Sequence, residues 1–222
     1  MAGDLNPWWR FGVPAALAIE RLLFRVRVTG IHHVPLDGAG VVAFNHISVL
    51  DGPCVAIEIA WRRRRETRFL VAAELFGLRI PGWFLRRYEQ IPIRRGARDT
   101  GALDESIATI RRGALAAIAP EGAVNPTPDR LQRVRSGVAR IALATEARVI
   151  PVGVWGTHRR WPKGRRNWGP PWRPRLALAF GEPIEPEGDA TLQDDLDAFV
   201  EIVRRRLEEQ VEAARIVAGD PA

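Results

Sequence analysis

The chain has 222 residues, with 33 Lys+Arg against 26 Asp+Glu and a formal charge of +7. That length sustains one globular core without a metal or disulfide staple, and a single cysteine, Cys54, excludes an internal disulfide. A 46% hydrophobic and 27% charged composition excludes global disorder, while a positive balance carried by arginine, Lys163 apart, points to anionic partners: nucleic acid, an acidic membrane face or a phosphorylated small molecule.

In chain order, residues 1–25 read as an amphipathic helix. Trp8, Trp9, Phe11, Leu17, Leu22, Leu23 and Phe24 supply apolar contact, and Arg10, Arg21, Arg25 and Arg27 supply cations. Trp with Arg is the pairing of a headgroup boundary, although a core-packing helix with a charged outer face has the same pattern. The apolar run 11–19 contains Pro14 and falls well short of the roughly 18 residues a membrane-spanning helix needs. Its length and its weakly charged flank also make it a poor secretory signal, despite the cleavage-like Ala16-Leu17-Ala18.

A strand is predicted over 25–30, a loop over 32–40 and a buried strand over 40–45. A helix from Ser48 to Trp61 follows, then the basic run Arg62 to Arg65. Strand 69–73 leads into a mixed segment, 74–87, with Pro81 as a breaker. After an extended 91–93 come helix 99–112, with Leu103, Ile107 and Ile110 on one face, and strand 115–119. Helix 137–147, strand 149–154, a loop over 155–174, strand 175–180 and a long amphipathic helix, 191–218, complete the chain. Short apolar strands alternating with helices predict an α/β fold: a mixed, mostly parallel sheet covered by helices on both faces. Residues 1–25 are then an appended membrane-surface helix and 26–222 the domain proper.

The chemistry centres on Asn45-His46-Ile47-Ser48-Val49-Leu50-Asp51. An imidazole and a carboxylate five positions apart lie about 140° apart on a continuous helix, so only a strand-to-helix turn can join them. Ser48-x-x-Asp51 fits a capping box that starts a helix at Ser48. Asp beside His is the arrangement for base catalysis, the carboxylate orienting the ring and stabilising the imidazolium. Spacing alone also fits a packed histidine at a strand end, and His32 with Asp37 repeats it inside a Pro-containing loop.

The run VVAFNHISVLDG resembles the first motif of the glycerolipid acyltransferase family, the 1-acylglycerol-3-phosphate acyltransferases and their relatives: Asn-His-x-Ser-x-x-Asp after an apolar strand. Three further blocks follow in the family's order. Ile91-Pro92-Ile93-Arg94-Arg95-Gly96 resembles the second motif, with its arginine at Arg95. Ala119-Pro120-Glu121-Gly122 resembles the third, and Val149-Ile150-Pro151-Val152 the fourth. The likeness runs from about Val28 to Ile184. It departs at Glu89, where the second motif usually opens with Gly, at Pro92, where an aromatic is usual, and at Ala123-Val124-Asn125, where Thr-Arg-Ser is common.

The resemblance implies acyl transfer from a thioester, acyl-CoA or acyl carrier protein, to a lysophospholipid hydroxyl, foremost 1-acylglycerol-3-phosphate giving phosphatidic acid. An ornithine lipid or a glycosylated phosphatidylinositol would use the same chemistry. It makes His46 the base, Asp51 its orienter and Arg95 the phosphate clamp. It sets Glu121, in the block with Gly122, on an acceptor hydroxyl or on an arginine. Arg135 occupies a position where relatives carry a basic residue and compensates for the missing motif arginine. Backbone amides near Gly122 are the candidate oxyanion donors. No cofactor or metal is implied, and no ligand-spaced cluster occurs.

The expected setting is the cytoplasmic face of an anionic membrane, as a peripheral protein. The loop 155–174 carries Trp155, Trp161, Trp168 and Trp172 among Arg159, Arg160, Lys163, Arg165, Arg166 and Arg173. It reads as a contact for headgroups or, equally, for the phosphates of CoA. Interleaved Arg and Trp also suit nucleic acid, but without a recognised nucleic-acid motif that partner is not expected. Cys54 reads as a small buried residue rather than a nucleophile.

Overall fold

The computed structural model describes residues 5–94 and 99–220. Three apolar strands frame it. β2 (Gly40–Phe44), β5 (Leu115–Ile118) and β6 (Val149–Trp155) are buried along their whole length, which requires cover on both faces. With β1 (Arg25–Thr29), β3 (Thr67–Ala72), β4 (Ile91–Ile93) and β7 (Arg175–Phe180) they form a seven-stranded sheet in the order β1-β7-β6-β2-β5-β3-β4. Neighbouring strands run parallel except β6 and β7. The predicted mixed, mostly parallel sheet is therefore the one observed.

Alternate residues of each strand feed alternate faces. Val41 and Ala43 point with Val149 into a core closed by Ile110 of α5 (Thr100–Arg111), Ile141 of α6 (Gly137–Thr145) and Phe199 and Val203 of α7 (Gln193–Ala218). Val42 and Phe44 point the other way with Val152, Leu176 and Leu178, against Val55 and Ile59 of α2 (Asp51–Arg63). Each such Leu, Ile or Phe contributes about 1.5–3 kcal/mol on burial. α7 lies so close to β6 that a Cβ on Gly153 would meet the Gln210 carbonyl oxygen at 1.9 Å.

α1 (Pro7–Leu23) packs on α2 through Trp9, Val13 and Ala60. Trp9 and Phe24 are buried, whereas Phe11 and Leu22 stand 74% and 72% exposed. The predicted apolar set is thus divided between core and surface. Two short helices, α3 (Ala73–Phe76) and α4 (Arg79–Arg87), fill the mixed segment. Pro81 does not break it: it sits in the first turn of α4, where a missing N–H costs little. Glu89, in the place of the usual glycine, has φ +52°. That left-handed conformation explains why glycine is favoured there.

Arg21 of α1 reaches two buried carboxylates, Glu20 beside it and Glu58 of α2, and Arg62 also holds Glu58. Burial, then the neighbouring Glu58 charge, raises the Glu20 pKa to about 8. A folded-state value above the unfolded one favours the fold fully below the unfolded pKa of about 4.5 and loses that contribution as pH rises through 8. Thermal unfolding of Glu20→Gln is expected to gain on the wild type between about pH 5 and pH 9. A constant gap across that range would contradict it.

Three of the four arginines in the basic run, Arg62, Arg63 and Arg65, are held within the fold. Arg63 donates to the Val34 carbonyl, Arg64 closes α2 at φ +55°, and Arg65 donates to the carbonyls of Pro35, Gly38 and Gly113.

Candidate active site

Parallel register brings the C-terminal ends of β2, β5, β3, β4 and β6 to one edge of the sheet, where β7 and β1 begin. His46 follows β2 at this edge. Asn45 first ties the strand end to β6: its amide donates to the Val154 carbonyl at 3.0 Å, and its carbonyl accepts from the Val154 N–H at 2.6 Å. The His46 backbone is gripped on both sides. Its N–H donates to Glu121 Oε1 at 2.6 Å, and its carbonyl accepts from the Asn125 N–H at 2.6 Å.

The imidazole Nδ1 lies 3.1 Å from Asp51 Oδ2. That oxygen also accepts the N–H groups of Ile47 and Ser48, each at 2.7 Å. Asp51 Oδ1 accepts the Thr157 hydroxyl at 2.5 Å. A fully buried carboxylate thus meets four donors, satisfying both oxygens. With Nδ1–H directed at Asp51, Nε2 carries the lone pair. The helix starts at Asp51 rather than at Ser48. Only half of the predicted capping box forms, because the Ser48 hydroxyl accepts from the Leu50 N–H instead. The extra residues of turn fold His46 back over Asp51.

Glu121 is buried, and burial raises its pKa from the ordinary glutamate value. Its second oxygen accepts from the Asn125 amide at 3.0 Å and the Gln132 N–H at 2.9 Å. Among the described residues it holds backbone and amide groups, not an arginine. The Gly122 N–H donates to the Ala119 carbonyl at 3.0 Å, so that amide is engaged within its own turn rather than offered to an oxyanion. Gly122 has φ +76°, and a Cβ there would lie 2.9 Å from Arg135 Nε. The exposed Arg135 therefore lies against Gly122, with no carboxylate partner among the described residues. Arg95 lies outside the described residues. Cys54 is buried, and burial pushes its thiol pKa up, which disfavours a thiolate.

The loop 155–174 winds around Arg160, which is buried and donates to the carbonyls of Asn167, Gly169 and Pro171. Trp155 is buried and Trp161 lies under Arg166, leaving Trp168 and Trp172 exposed. Thr157 opens the short 3₁₀ turn Thr157–Arg159, and sequence reasoning assigned it nothing.

A family model described as Acyltransferase matches residues 25–155. The chain belongs to the acyltransferase family. The matched span includes His46, Asp51 and Glu121 and stops short of Thr157. An uncharacterised protein of Mycobacterium leprae is 27% identical, covering 72% of this chain and 51% of its own. One of Mycobacterium bovis is 30% identical, covering 72% and 52%. The chain thus spans about half the length of the curated relatives it matches. The crystal structure of the 1-acyl-sn-glycerophosphate (LPA) acyltransferase PlsC from Thermotoga maritima matches with a TM-score of 0.67 at 26% identity, over 90% of this chain and 80% of that one.

Thr157 acts on His46 only through Asp51. Thr157→Val would leave a buried carboxylate oxygen unpaired, a loss of about 1–3 kcal/mol. The expected result is roughly tenfold lower kcat with KM little changed, restored by Thr157→Ser. Equal damage from both substitutions would argue for packing alone.

Proposed function

We propose that this protein transfers a fatty acyl group from an acyl thioester, acyl-CoA or acyl carrier protein, to the hydroxyl of a lysophospholipid, with 1-acylglycerol-3-phosphate as the leading acceptor and phosphatidic acid as product. The observation that carries the reading is the His46–Asp51 pair, with Nδ1 on the carboxylate and Nε2 without a hydrogen-bond partner among the described residues. The likeness to an LPA acyltransferase supports the acceptor.

In this reading His46 Nε2 takes the acceptor hydroxyl proton as the oxygen attacks the thioester carbonyl. Asp51 stabilises the imidazolium, and the collapsing intermediate expels a thiolate that recovers the proton from His46. One ester forms and one thioester breaks, so no redox partner is needed. Arg95 and Arg135, the latter without a carboxylate partner among the described residues, clamp the acceptor phosphate. Glu121 and Gly122 serve the site by holding the His46 backbone and by seating Arg135.

The proposed setting is peripheral, on the cytoplasmic face of an anionic membrane. Among the described residues no helix is long and apolar enough to cross a membrane. Support comes from the surface shared by α1 and α4. The rings of Trp8 and Trp83 meet edge to face at 5.1 Å, and the Arg87 guanidinium lies 5.1 Å over Trp8 and 5.8 Å over Trp83. Phe11, Ile80 and Phe84 stand exposed around them. Apolar rings among arginines suit anionic headgroups. Nucleic acid is disfavoured, because Arg65 of the basic run is buried and committed to three backbone carbonyls.

The deciding experiment offers the purified protein lysophosphatidic acid, lysophosphatidylcholine and a lyso-ornithine lipid, each with acyl-CoA and with acyl carrier protein, and reads the ester products by mass spectrometry. Phosphatidic acid as the dominant product is expected. Preference for another acceptor would reassign the substrate. Sedimentation with phosphatidylglycerol vesicles, weakened by Trp83→Ala, is the expected sign of membrane docking.

A further inference from the structure

A cleft of about 510 Å³ opens at the same edge of the sheet as His46, on the far side of β6. Arg25, Arg159, Trp172, Arg173, Arg175 and Asp220 are among its lining residues. Arg159 is paired with Asp220. Arg25, Arg173 and Arg175 have no carboxylate partner among the described residues. Arg173 donates to the Phe24 carbonyl at 3.3 Å and Arg175 to the Ala218 carbonyl at 3.2 Å. Each bond fixes a guanidinium and leaves it further N–H donors. The C-terminal end of α7 lies in this wall and brings about half a negative charge, which is far from balancing three cations. Trp172 is 75% exposed on the rim.

The cleft is wired to the catalytic pair. The turn Thr157–Arg159 has its first residue on Asp51 and its third on Asp220. A ligand held at Arg159 is therefore one short turn from the carboxylate that orients His46.

We propose that this cleft binds the phosphorylated nucleotide end of a coenzyme A thioester, with Arg25, Arg173 and Arg175 on its phosphates and Trp172 stacked on its adenine, and that the pantetheine arm extends from there toward His46 along the same edge of the sheet. This deepens the acyl-transfer reading above by naming the donor. The volume falls in the range of about 300–1,000 Å³ that small-molecule sites occupy. Guanidinium forks match phosphate oxygens bidentately, and an exposed indole offers the π-face a base stacks on. Several cations gathered in a concavity fit a compact polyanion better than the broad face of a carrier protein. The apolar surface for a bilayer lies elsewhere, on α1 and α4.

The test is calorimetric titration of the full chain with free CoA, without acceptor or membrane, in the wild type, the double variant Arg25→Gln/Arg173→Gln and Trp172→Ala. CoA should bind, adenosine 3′,5′-bisphosphate should compete, the double variant should lose at least about tenfold in affinity and Trp172→Ala several-fold, with melting temperatures unchanged. In turnover, the ratio of KM for acyl-CoA to KM for S-acyl pantetheine should rise in both variants, whereas a general folding defect would move both KM values together. CoA affinity indifferent to the substitutions would overturn the assignment. So would variants that impair only turnover with acyl carrier protein, or only binding to phosphatidylglycerol vesicles. CoA binding that follows the arginines in a protein that makes no ester would keep the cleft and remove the proposed function. Ester formation with arginine-independent CoA binding would do the reverse.

Discussion

His46→Ala is expected to lower kcat by about 10²–10⁴-fold, the usual worth of a positioned general base. The loss should be chemical rather than structural. The bonds that shape this turn come from the His46 backbone, to Glu121 and from Asn125, and none of them needs the imidazole. The ring contributes the single bond to Asp51 and an edge contact with Phe44 at 6.1 Å between centroids. Far-ultraviolet circular dichroism and the melting temperature should therefore stay near wild type while turnover collapses. KM for either substrate should change little, because the interaction removed strengthens only as the proton transfers.

Asp51→Asn is expected to cost both activity and stability. The carboxylate accepts from His46 Nδ1, two backbone N–H groups and the Thr157 hydroxyl. An amide has one acceptor oxygen and turns its NH₂ toward groups that are themselves donors. If the NH₂ takes the place of Oδ2, it meets two N–H groups head on and forces Nδ1 to accept, so the proton moves to Nε2 and the base is lost. If it takes the place of Oδ1, Thr157 must rotate its hydroxyl away. The first arrangement corresponds to a loss of about 10⁴ in turnover, as for a wrong-tautomer histidine in a catalytic triad. Frustrated buried donors should also lower stability by about 2–4 kcal/mol. Activity and denaturant unfolding measured on one preparation check both. A variant with wild-type turnover would remove Asp51 from the mechanism.

Local signals in the sequence located the centre of the site. A buried strand ending at Asn45, followed by His and Asp in a turn, was legible because each of those features depends on near neighbours. The alternation of apolar strands and helices likewise carried the fold class. The rest depends on sheet order, which brings together residues far apart in the chain. Thr157 reaches Asp51 across 106 positions because β6 lies beside β2, and no spacing rule marks it. Glu121 and Asn125 grip His46 because β5 is the neighbour on β2's other side, so among the described residues the glutamate holds backbone and amide groups rather than an arginine. The start of α2 was displaced for a similar reason. Asp51 has more donors to satisfy in three dimensions than a capping box provides, and the turn lengthens to let them reach it. The loop 155–174 was read by composition, which cannot reveal that Arg160 and Trp155 face inward.

The central claim is an acyl transfer driven by His46 and Asp51. Its most direct measurement follows released thiol and new ester together, with the purified wild type and His46→Ala given lysophosphatidic acid and acyl-CoA. The account predicts one phosphatidic acid formed per thiol released in the wild type, and neither above background in the variant. Thiol release without ester, or ester formed equally by both proteins, would contradict it.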